Sequence, residues 1–194
     1  MGLAAFWAAV LVAAHVNPGY SGRRDYVSSL AAHGAEHPWL GMLAIAALGA
    51  AGVGAAILVR PLTRVGAVAF LVAGFAYVVA GIARIDCPDG AAHCGLGGRF
   101  DVHGNQAITH WTAAVLANVL VLAGLLLVAE RLARRGRGVA AGATLVAALA
   151  TLVALVATGG QTPGEVQRGW IVVMTVWLVA AVGYASSASW RADG

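Results

Sequence analysis

Five stretches of this chain run for 19 to 23 residues without a single Asp, Glu, Lys or Arg: Trp39–Val59, Val65–Ala83, Ala107–Ala129, Val139–Thr158 and Trp170–Ala188. A helix of about 20 residues rises about 30 Å, the thickness of a bilayer's hydrocarbon core. In water such segments would need a far larger polar shell than this chain has. Charged residues make up 10% of it, against about 25% in a soluble domain. Backbone polar groups in lipid must be satisfied within the segment, so each stretch is expected to be a helix. A further apolar run, Met1–Val16, ends at Asn17-Pro18-Gly19. It would span about 24 Å, short for a full crossing. A cleaved leader is the competing reading. No basic segment opens the run and no A-x-A site precedes Asn17, so a retained first helix is expected.

The expected fold is therefore all-α: one transmembrane domain over residues 1–194, with spans near 1–17, 39–59, 65–84, 106–129, 139–158 and 170–188. Small residues dominate several spans, as in GAAGVGAA (Gly49–Ala56), and allow close helix–helix approach. Tyr26, Val27, Leu30 and Ala31 recur at helical spacing between polar neighbours, which predicts a short amphipathic helix lying at the interface in the first outer loop.

All twelve basic residues are arginine, which reads as high-GC, bacterial coding bias. The high pI does not point to nucleic acid, because arginines in membrane proteins mark cytoplasmic loops. The turns after the second and fourth spans, with the tail, hold seven arginines against five in the other loops. Arg131, Arg134, Arg135 and Arg137 decide the orientation: both termini cytoplasmic, three polar loops outside. Trp39, Trp111 and Trp170 then fall near the outer interface and Trp190 near the inner one, as an aromatic belt would.

The densest polar chemistry lies between Arg84 and His110. Cys87 and Cys94 sit in an outer Pro/Gly loop and are read as a small disulfide. A metal set from Cys87, Cys94, His93 and Asp86 or Asp89 is the alternative, but zinc sites pair two close couples and this chain has one. His103 and His110 stand two turns apart on one face of the fourth span, too far to share an ion. An ionisable group inside a span is a candidate site residue, and His110 is the deeper. Ala114 and Asn118 continue its stripe. His33 and His37 have i, i+4 spacing, weakened by Gly34 and Pro38. Asp25 and Ser29, with Asp86 and a histidine, carry the residue types of a nucleophilic triad, without a G-x-S-x-G elbow. Otherwise Asp25 pairs with Arg23 or Arg24, and the serines bond the backbone. Gln167 and Arg168 precede the sixth span. An arginine there opposes the helix dipole and needs a partner, Asp25, Asp86 or Asp101, tying two outer loops together. Arg84 can simply snorkel.

Three pieces of the chain carry a resemblance: NPGYSGRRDYVSSLAA (Asn17–Ala32), the G-x-x-x-x-D-C-P loop (Gly81–Pro88) leading to His103, and GEVQRGW (Gly164–Trp170). Together they resemble the DUF998 family of small polytopic bacterial membrane proteins. The resemblance implies a six-helix membrane bundle and no defined activity. It points to Asp25, Ser29, Asp86, His103 and Arg168 as positions to test; His110 and His33 go beyond its pattern.

The expected function is an outward-facing polar pocket for a lipidic or amphipathic small molecule. It would hold an acid–base enzyme using His103 or His110 as base and Asp86 or Asp25 as acid or orienting group. Arg168, Gln167, Asn118, Trp111 and Arg84 would contact the substrate. The alternative is a non-catalytic binding, sensing or partner protein. A transporter ranks lower, since no paired broken helices and no mid-span acid are present. The sequence specifies no cofactor, and a homo-oligomer is compatible with it.

Overall fold

The computed structural model describes residues 2–85, 104–157 and 162–186. Asp86, Cys87, Cys94 and His103 lie outside the described residues, as do His93, Asp89, Asp101 and Trp190, so the expected disulfide, its metal alternative and the His103 site fall there too.

Among the described residues the regular secondary structure is all helical. Six α-helices follow in order: α1 (Gly2–Val16), α2 (Pro38–Val59), α3 (Arg64–Ile82), α4 (Asn105–Arg134), α5 (Gly138–Val156) and α6 (Pro163–Ser186). The last five are long and apolar enough to cross a membrane; α1, at 15 residues, is shorter. Large apolar side chains point outward on every helix, among them Leu11, Ile57, Phe75, Val119, Leu149 and Val176. In a soluble fold such an apolar coat would aggregate; in a bilayer it is the solvated surface.

Each helix packs on the one before it around the bundle. Gly49 and Gly74 let α2 and α3 touch by backbone, since a Cβ on either would stand 2.7 Å from the other's carbonyl oxygen. Hydrogen bonds do what hydrophobicity cannot do between helices in lipid. Trp170 Nε1 donates to Thr151 Oγ1 at 2.9 Å and Trp177 Nε1 to Thr144 Oγ1 at 3.1 Å. Both pairs are seven residues apart on antiparallel α5 and α6, which makes a two-rung ladder. Trp7 Nε1 to Thr175 Oγ1, at 3.2 Å, joins α1 to α6. Trp170 is thus buried in the bundle, whereas Trp39 is exposed.

Two helix ends differ from the sequence reading. Helix α4 continues to Arg134, with Glu130 and Arg134 paired at 2.6 Å. It stops where Gly136 adopts φ +70°. Arg137 N then bonds Leu132 O and Gly136 N bonds Ala133 O, a Schellman termination. Helix α6 begins at Pro163, seven residues before the expected start at Trp170. Proline is pre-set for a first helical turn, and Glu165 suits the same turn; a charge-free run cannot include Glu165 and Arg168.

By alternation, one end of the bundle gathers the C-termini of α1, α3 and α5 and the N-termini of α2, α4 and α6. We call it the upper end. The arginine-rich turns form the lower end.

Candidate functional site

The 17–37 connection crosses the upper end. Its centre is a five-residue 3-10 helix, Val27–Ala31, with every residue buried. The expected amphipathic surface helix is not what forms. A surface helix would leave Asp25, Ser28 and Ser29 wet, yet all three are buried in protein. The segment is a roof packed onto α1, α2 and α6. Gly41 of α2 admits it, because a Cβ there would collide with the Leu30 and Ala31 backbone.

The roof is held from several sides. Arg168 Nη1 donates to Gly22 O at 2.5 Å, Asp25 O at 2.9 Å and Gly164 O at 3.0 Å, and Nη2 donates to the Tyr20 hydroxyl. Its guanidinium also lies 5.4 Å from the Tyr20 ring centroid. Among the described residues Arg168 thus meets main-chain oxygens and the Tyr20 hydroxyl rather than the Asp25 carboxylate; Asp86 and Asp101 lie outside the described residues. Asp25 directs its carboxylate elsewhere: Oδ2 accepts from Ser21 N at 2.6 Å and Oδ1 from Arg24 Nε at 2.9 Å. An ion pair, Arg23–Glu165 at 3.1 Å, joins the 17–37 connection to the first turn of α6. Val27 N donates to Gln167 Oε1 at 2.7 Å. Arg84 does not snorkel: Nε and Nη2 donate to Ala31 O and Ala32 O, each at 2.8 Å, closing the far end of the roof. His33 and His37 do not share a helix face. His33 bonds Gln106 Oε1 at 3.2 Å, and His37 is the N-cap residue of α2. Among the described residues no cluster of three or more His, Cys, Asp or Glu could hold a metal ion.

Under the roof lies a cavity of about 200 Å³ bounded by all six helices. Its walls are apolar, with Phe6, Ile45, Leu48, Leu155 and Ile171. Its polar lining is Ser28 from the roof, His110 and Asn118 from α4, Tyr77 from α3, and Gln167 from α6. Trp111 lines it too, edge-on to Tyr26 at 5.6 Å and to His110 at 5.7 Å. Asn118 and Tyr77 largely satisfy each other: the Tyr77 hydroxyl donates to Asn118 Oδ1 at 3.2 Å, and Asn118 Nδ2 to Ala114 O at 2.8 Å.

His110 Nδ1 lies 2.6 Å from Ala80 O and 2.9 Å from Ala83 O. These carbonyls end α3, where the last turn has no intrahelical donors left. The histidine thus caps a neighbouring helix with one ring nitrogen and lines the cavity with the rest of the ring.

Of the candidate residues, the structure brings His110, Trp111, Asn118 and Gln167 to one cavity. It puts Asp25, Arg84 and Arg168 into the roof's supports and buries Ser29 in the roof without placing it on the cavity. Ser28, passed over in favour of its neighbour, is the serine that lines it.

A second cavity, about 310 Å³, lies at the lower end between α2, α4, α5 and α6. It is larger but almost wholly apolar, and its Thr144 hydroxyl is engaged by Ala140 O and Trp177. It offers little to fix a ligand's orientation.

Helices of this length and apolarity define a multi-pass integral membrane protein. Within that class the chain belongs to the DUF998 family, described as proteins of unknown function, which matches residues 1–184. No curated protein and no solved structure matches it.

Proposed function

We propose that the protein binds an amphipathic or lipidic small molecule in the upper cavity. In this reading α1 is a sixth span, both termini are cytoplasmic, and the roofed end faces the outside of a bacterial membrane. One observation carries it: a roofed cavity whose walls are apolar and whose polar groups converge from the roof, α4 and α6. Val115 lines this cavity and is 52% exposed on the bundle's outer side, so only one side chain separates the two there. A ligand dissolved in the bilayer would have a lateral way in.

Native mass spectrometry of the detergent-purified protein tests this. One small amphiphile per chain should survive in the native protein and be missing from Ala114→Phe, which fills the cavity from α4. A native protein that carries nothing, and that no added amphiphile stabilises against heat, would end the proposal.

Acid–base catalysis on the bound molecule is the second reading, favoured by His110, whose Nε2 is not used in capping α3. It requires turnover that His110→Gln abolishes while ligand binding persists.

A further inference from the structure

Three side chains lining the upper cavity keep hydrogen-bonding capacity in reserve. His110 is 4% exposed, and its Nδ1 faces two carbonyl oxygens. Two acceptors at one ring nitrogen require the proton there, so in the neutral ring the lone pair is on Nε2. Ser28 is 6% exposed, and its hydroxyl has no hydrogen-bond partner among the described residues. Gln167 accepts from Val27 N through Oε1, which leaves its amide protons. Among the described residues no enclosed side-chain nitrogen or oxygen is left without a partner. The spare valences of the nearly buried His110 and Ser28 therefore open onto the cavity they line, and the half-buried Gln167 lines it beside them.

No arginine, aspartate or glutamate lines the cavity among the described residues. Arg168 and Arg84 face backbone oxygens of the roof connection, and Asp25 is held by Ser21 N and Arg24. A carboxylate, phosphate or ammonium entering here would lose its water and meet no opposite charge among the described residues, which is costly in an apolar setting. An alcohol meets no such penalty. Its hydroxyl would donate to His110 Nε2 and accept from Gln167 Nε2 or Ser28 Oγ, while its hydrocarbon lies along Phe6, Leu48 and Ile171. We infer that the cavity selects an uncharged, hydroxyl-bearing amphiphile over ionised amphiphiles of the same chain length. This rests on the binding reading above and names the chemical class of its ligand.

The test uses the full chain in lipid nanodiscs, titrated with 1-octanol, octane, octanoate and octylammonium, and followed by tryptophan fluorescence; Trp111 and Trp170 line the cavity. Saturable binding of 1-octanol is expected, at least about tenfold tighter than for the other three probes. Ser28→Ala should weaken it by about fivefold, the value of one modest hydrogen bond, and Ala114→Phe should abolish saturation. Octanoate or octylammonium binding as tightly as octanol, and lost in Ala114→Phe, would overturn the inference while leaving a ligand cavity. Octane matching octanol would overturn it too, because the polar groups would then recognise nothing. No saturable binding by any probe, or octanol signals unchanged by Ala114→Phe, would defeat the binding reading itself.

Discussion

Replacing Gly164 by alanine should destabilise the protein although alanine is the better helix former. A Cβ at this position would stand 2.5 Å from Asp25 O, 2.8 Å from Gly22 O and 2.8 Å from Arg168 Nη1. Two of these atoms are main chain, and the third belongs to a guanidinium fixed by three carbonyls. Either the roof lifts or α6 retreats, and forced repacking of this kind costs about 1–3 kcal/mol. Helix propensity returns at most about 1 kcal/mol. Gly169, five residues on in the same helix, supplies the control, because nothing lies within 4 Å of its added Cβ. Gly169→Ala should be neutral or stabilising by up to about 1 kcal/mol. Propensity acts in the same direction at both sites, so the gap between the variants, about 1–3 kcal/mol, measures the steric conflict. The assay is unfolding in mixed micelles at rising SDS fraction, followed by fluorescence of the six tryptophans. Equal stabilities for the two variants would show that the roof does not press on the start of α6, and the described site would be wrong.

Thr151→Val removes the acceptor of the Trp170 indole and should cost about 0.6–1.7 kcal/mol, the range for interhelical bonds in membranes. In the double mutant with Trp170→Phe the loss of Thr151 should matter less, as a double-mutant cycle would read. Arg168→Lys keeps the charge but not the fork; a single ammonium cannot reproduce bonds to Gly22 O, Asp25 O, Gly164 O and Tyr20, and mixed-micelle unfolding should show a loss of about 1.5–3 kcal/mol. His110→Leu leaves the Ala80 and Ala83 carbonyls without their donor and should cost about 1–3 kcal/mol in the same assay. His33→Ala, which breaks a bond in an exposed setting, should stay within about 0.5 kcal/mol of the parent; a larger loss would mean that His33 helps to hold the roof.

The spans were legible because length and apolarity alone decide them in a bilayer. Helices α2, α3 and α5 begin and end within two residues of the sequence reading. Helix α6 starts earlier than Trp170 because a charge-free run cannot extend back past Arg168 and Glu165, although Thr162-Pro163 is a helix-start signal. Gly164 is present for contact, which no local rule reads. The roof differs for a related reason. Its polar residues suggest a wet surface, but α6 reaches over from 140 or more residues away, with Gln167 and Arg168 bonding the main chain of Val27 and Asp25. Periodicity assigns faces along one element and says nothing of a second element that covers the polar face.

The same limit explains why the candidate residues divided as they did. Sequence chemistry selected groups able to bond, and the structure separates them by what they bond to. Arg168, Asp25 and Arg84 spend their capacity on main chain, on Tyr20 or on Arg24, and each of those bonds fixes the roof. His110 and Gln167 spend part of theirs on the scaffold and keep the remainder for the cavity. That division ties stability to binding. A change at Arg168 should loosen the roof and weaken every ligand alike, whereas Ser28→Ala should leave stability near the parent and shift the preference between octanol and octane. If both changes altered affinity and stability in the same proportion, the roof and the recognition groups would be one cooperative unit, and the separate recognition role given to Ser28 would fall.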